Sequence, residues 1–120
     1  MSGTAPVTVV EMPEFISATR KLLSEEERML LVDYLAHNPT AGDVIPGTGG
    51  VRKLRWSLEG RGKRGGARVI YFYHNLRMPL FALTAFAKNV KADVDHADRN
   101  DFRRLTGLLV QTYSRRKVDE

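Results

Sequence analysis

Apolar and polar positions alternate differently along this chain, dividing it into helical ends and an extended middle. Residues 7–11 (VTVVE) are short and rich in β-branched side chains, the composition of a strand. Pro13 then suits the first turn of a helix, and Phe15, Ile16, Thr19, Leu22 and Leu23 follow it at helical spacing. Ser24 with Glu27 reads as a capping box that opens a second helix, with Glu25 and Glu26 at its positive end. Leu31 and Leu35, and Met29 and Val32, give that helix an apolar face, and Asn38-Pro39 stops it. Residues 40–50 (TAGDVIPGTGG) read as a loop. Three strand candidates follow. Residues 51–56 (VRKLRW) come first, then 67–74 (ARVIYFYH), dense enough in β formers to be a buried central strand. Residues 79–87 (PLFALTAFA) pair back on that strand as a hairpin. Asp93, Asp95 and Asp98 mark the start of a last helix with the stripe Phe102, Leu105, Leu108, Leu109 and Thr112. The segment 113–120 has little beyond Val118 to bury and is expected to fray.

The predicted order is β-α-α-β-β-β-α. Helices at the ends and strands in the middle imply an α+β fold with a mostly antiparallel sheet, its helices packed on one face and the other face open. The 120 residues fit a single domain, 1–120. The absence of cysteine excludes disulfides, thiol nucleophiles and Cys-ligated zinc. No apolar run reaches the roughly 18 residues of a membrane span, and the N-terminus lacks a signal-peptide layout, so a cytoplasmic protein without membrane contact is expected.

The net charge of +5 conceals its distribution. Residues 1–50 carry 3 Lys/Arg against 7 Asp/Glu, residues 51–91 carry 10 against one (Glu59), and residues 92–120 carry 6 of each. The basic character therefore belongs to the strand-forming block, which points to nucleic acid or another polyphosphate. Strand alternation puts Val51, Lys53 and Arg55 on one face, and Arg52, Leu54 and Trp56 on the other, which is the likelier core side by its apolar content. Arg68 shares a face with Ile70, Phe72 and His74, and Thr84 shares one with Phe86 and Lys88. With Arg68 and Lys88 at adjacent strand ends, Lys53, Arg55, Arg68 and Lys88 form one cationic patch.

Other chemistries lack support. His37, His74 and His96 have no ligand-spaced partners, and neither GTGG nor GKRGG matches a P-loop. A cationic patch with aromatics suffices for RNA cleavage, because the attacking 2′-hydroxyl is already part of the substrate. Arg and Lys stabilise the charge that builds on the phosphate, a lysine beside other cations serves as base, and an aromatic ring stacks a splayed base. No metal or other cofactor is required.

The runs GDVIPGTGGVRKLRW, GKRGGARVIYFY and LTAFAKN, in this order and spacing, resemble the RelE/HigB superfamily of bacterial toxins, nearest its HigB-like branch. The resemblance covers about residues 8–112. It implies a small microbial-type RNase fold, metal-independent cleavage of mRNA on the translating ribosome, and neutralisation by a cognate antitoxin. That antitoxin is expected to carry a helix-turn-helix, to be encoded by the adjacent gene, and to supply any contact with DNA. By residue, the resemblance carries over to Lys53, Arg55, Arg68 and Lys88 as the catalytic cations. Phe86 becomes a candidate stacking residue; beside the carry-over, Arg52, Lys63, Arg64 and Lys91 of the basic block are expected as further RNA contacts. The general base stays open between Lys53 and Lys88, because Tyr113 does not match the family's tyrosine near the last segment. Two alternatives stand beside this reading: a ParE-like inhibitor of DNA gyrase, and a non-catalytic RNA-binding module.

Overall fold

The computed structural model describes residues 5–57, 66–89 and 93–119, with side chains through residue 114. Strand β1 (Val9–Glu11) is followed by helices α1 (Pro13–Leu22) and α2 (Glu25–His37), then by β2 (Asp43–Val44), β3 (Val51–Trp56), β4 (Ala67–Phe72), β5 (Leu80–Ala87) and helix α3 (His96–Asp119). The strands form one five-stranded sheet in the order β1-β5-β4-β3-β2. Its first pair is parallel and the other three are antiparallel. The architecture is the α+β arrangement expected, with one strand more.

Local chemistry explains the boundaries. Pro13 opens α1. The capping box of α2 is reciprocal: the Glu27 amide donates to Ser24 Oγ at 3.1 Å, and the Ser24 amide donates to the Glu27 carboxylate at 2.8 Å. Arg28 donates to both Glu25 and Glu11, which ties α2 to β1. The added strand, β2, lies in the segment expected to be loop, where Asp43 pairs with Lys53 and Val44 with Arg52. Two residues are too few to show a period of two, so composition could not reveal it. The buried Tyr71 hydroxyl fixes this loop by accepting from the Gly42 amide at 2.8 Å and donating to the Pro39 carbonyl at 2.9 Å.

The helices do not share one face of the sheet, which corrects the sequence expectation. Phe15 of α1 and Leu31 and Leu35 of α2 pack with Leu54, Val69, Tyr71, Leu80 and Ala82 on one side. Phe102, Leu105, Leu109, Val110 and Tyr113 of α3 cover Val51, Ile70, Phe72, Met78, Phe81 and Leu83 on the other. The reason is visible in β4, whose six residues are all buried. A strand without polar alternation needs cover on both faces. Gly49 seats α3: at φ 79°, its missing side chain leaves room for Thr106, whose Oγ1 would lie 2.3 Å from a Cβ there. That hydroxyl donates to the Thr48 carbonyl at 3.0 Å. The α3 backbone stays helical to Asp119, where fraying from 113 was expected.

Candidate nucleic-acid interface

Strand register assembles the cations. Arg55 pairs with Arg68 on β4, and Arg68 pairs with Phe86 on β5. Two residues along the same face, Lys53 pairs with Ile70 and Ile70 with Thr84. With strands about 4.8 Å apart, Arg55, Arg68 and Phe86 form a row roughly 10 Å across. A bulge decides the third member. Ile70 pairs with Thr84 but Tyr71 pairs with Ala82, so Leu83 is an extra residue. Phe81 and Phe86 are five positions apart and would face opposite ways on a regular strand. The extra residue brings both to the α3 side, where both pack with its core.

α3 crosses this face over Val51, Phe72 and Phe81; at the other end Phe86 still packs on the same cluster, while Arg55 and Arg68 stand outside it. A groove of about 360 Å³ runs between β5 and the start of α3, walled by Ile70, Thr84, Phe86, Val94, Phe102 and Leu105. It adjoins the cationic row through Ile70 and Phe86, and Glu14, Asp98 and Asp101 line it with carboxylates.

Arg68 is the decisive side chain. It is only 8% exposed, yet its guanidinium makes a single weak internal hydrogen bond, from Nη1 to the Ala67 carbonyl at 3.4 Å. Among the described residues no carboxylate lies within ion-pair distance of it. Its remaining donors have no internal partner and are not sealed from solvent, which fits them to an anion brought from outside. Arg55 next to it is exposed. Lys53 differs: its Nζ donates to Asp93 Oδ1 at 2.8 Å. The same oxygen accepts from the Val94 amide at 2.7 Å. These two hydrogen bonds, Lys53's first, hold the Asp93 carboxyl below its usual range.

The remaining candidates separate. Lys88 is exposed, one residue past the Ala67–Ala87 pair, and its amide donates to the Gly66 carbonyl at 3.1 Å, so it stands at the same end of the sheet. Arg52 does not join the row. It projects from the opposite face, with Nη1 donating to the Gly42 carbonyl at 2.7 Å and the Thr40 carbonyl at 3.3 Å, and it clamps the loop before β2. Lys63, Arg64 and Lys91 lie outside the described residues. Tyr113 sits edge-on to Phe81, ring centroids 5.8 Å apart, at the far end of the face. His74 stacks near Phe72 at that same end. Among the described residues no group of three or more His, Asp or Glu is placed to hold a metal ion. Sequence reading missed Asp93 as a partner of Lys53, because an acid before a helix reads as part of its start and the 40-residue separation carries no periodic signal.

A family model described as the RelE toxin of the RelE / RelB toxin–antitoxin system matches residues 20–120. The chain belongs to the RelE toxin family. It is accordingly a toxin of the type II toxin–antitoxin class, and membership implies an antitoxin partner. The matched span begins at the end of α1 and includes every candidate cation, the bulged strand β5 and helix α3. No described helix is long and apolar enough to cross a membrane.

Proposed function

We propose that this RelE-family toxin is an endoribonuclease that cleaves mRNA on the translating ribosome, as a HigB-like member of the family. The observation that carries this reading is Arg68, nearly buried as a residue and without a carboxylate partner among the described residues, in one row with Arg55 and Phe86. A toxin acting by protein contact alone has no need of such a row, which is why the gyrase reading is the weaker one.

In the proposed reaction the scissile phosphate lies over Arg55 and Arg68. The 2′-hydroxyl of the preceding nucleotide attacks the phosphorus in line, its proton passes to a base, and the 5′-oxygen of the next nucleotide leaves with a proton. The products are a 2′,3′-cyclic phosphate and a 5′-hydroxyl. Arg55 and Arg68 stabilise the charge on the non-bridging oxygens, and Phe86 with the adjoining groove holds a base out of the stack. Lys53 is engaged by Asp93, which favours Lys88 for the base. The antitoxin is proposed to carry a helix-turn-helix and to be encoded by the adjacent gene.

The test is a programmed ribosome carrying mRNA with one 2′-deoxynucleotide at the cleaved position. All-ribose mRNA should be cut and the deoxy-substituted mRNA should survive at that position. Cleavage of both at equal rate excludes 2′-hydroxyl attack. Intact mRNA in both, with DNA supercoiling inhibited, returns the protein to the gyrase reading.

A further inference from the structure

Among the described residues, Lys53 is the one member of the cation set tied to an acid. Arg55 and Arg68 have no ion-pair partner among the described residues, whereas Lys53 Nζ lies 2.8 Å from Asp93 Oδ1. The acid comes from outside the sheet, on the segment that leads into α3, and its carboxylate is anchored by the Val94 amide. The pair faces water, with side-chain exposures of 29% for Lys53 and 49% for Asp93. An ion pair so exposed is weak and screened by salt, and is therefore easily exchanged for a stronger anion. A carboxylate at hydrogen-bond distance from an ammonium stands where a phosphate oxygen would stand.

We infer that Asp93 occupies a phosphate subsite at Lys53, and that an RNA phosphodiester displaces it on binding. This rests on the proposed action on RNA and adds to it an internal competitor. A lone surface anion gains only Lys53 and must first remove Asp93. A strand whose neighbouring phosphate also reaches Arg55 and Arg68 gains three cations for the same exchange. Asp93 thus lowers both affinities by the same factor, which only a strand with further cations to reach can offset, and it keeps Lys53 extended over the sheet until a strand binds.

The experiment is equilibrium binding of the full chain to a fluorescein-labelled single-stranded RNA with 2′-O-methyl sugars, which bind but cannot be cut, across a salt series. Asp93→Asn keeps an oxygen for the Val94 amide but removes the charge. It should bind several-fold tighter at low salt. Its plot of log affinity against log salt should be steeper by about 0.7, the increment for one added phosphate contact on a single strand. Asp93→Glu, which retains the carboxylate, should behave as wild type. Lys53→Gln in the Asp93→Asn background should erase the gain. An unchanged slope and affinity in Asp93→Asn, or a gain that survives Lys53→Gln, overturns the inference, as does weaker binding, which would make Asp93 a support for Lys53. These outcomes leave the RNA reading intact if Arg68→Ala still weakens binding. If wild type and Arg68→Ala bind alike with no salt dependence, the RNA reading itself fails, and this inference with it.

Discussion

Two rows of the same three strands, four residues apart on β3 and β4 and five on the bulged β5, have opposite fates. Val51, Phe72 and Phe81 pair across β3, β4 and β5, and so do Arg55, Arg68 and Phe86. The rows lie about 13 Å apart on one face. The first is sealed under α3, with Val51 and Phe72 almost fully buried. In the second only Phe86 packs on the cluster under α3, and the two guanidinium groups have no carboxylate partner among the described residues. The first row supplies the burial that lets the second keep an arginine with no carboxylate partner among the described residues. Stability and chemistry are thus segregated along the strands of one sheet.

That separation can be broken from either end. The largest effect should come from the sealed row: Phe72→Ala removes a ring packed on both sides by core and should cost about 3–5 kcal/mol, a large fraction of the stability of a domain this size. Denaturant unfolding would show it as a lower midpoint. Arg68→Ala should do the reverse, lowering mRNA cleavage more than tenfold while the unfolding midpoint holds, since the guanidinium makes one weak internal hydrogen bond and no ion pair among the described residues. Lys53→Ala and Lys88→Ala should also lower cleavage more than tenfold without unfolding the chain. Equal activity in all three would remove the site assignment.

Smaller effects test the helix that divides the rows. Gly107 lies within α3, and a Cβ there meets nothing within 4 Å. Gly107→Ala should therefore stabilise by about 0.5–1 kcal/mol with cleavage unchanged, visible as a higher melting temperature. The smallest effect concerns pH. Asp93 is held below its ordinary value of 3.8 by Lys53 and the Val94 amide. A carboxyl depressed in the folded state adds stability above its unfolded pKa, and the contribution is lost as pH falls from there through the lower folded value. Acid unfolding of Asp93→Asn should lack that small component. The difference should shrink in high salt, because the pair is exposed.

Much of this was legible in the chain. The capping box at Ser24, the turn-forming Pro13 and the strand runs 51–56 and 79–87 announced elements through local chemistry. Alternation alone put Lys53 with Arg55 and set Arg52 on the other side. The continuous apolar run of β4 already required cover on both faces, a demand that contradicts an open sheet with helices on one side. Other features depend on chain meeting itself at long range. The two-residue β2 exists only through pairing with β3. The bulge that turns Phe86 toward Arg68 has no sequence signature beyond the pairing it disrupts. Asp93 finds Lys53 only after α3 has crossed the sheet.

The most direct measurement compares wild type with Arg68→Ala on ribosomes programmed with a defined mRNA, the fragments mapped by primer extension and both proteins shown to melt alike. The account predicts discrete cuts by wild type that fall more than tenfold in Arg68→Ala. Equal cutting by the two proteins, or intact mRNA with both, would contradict it.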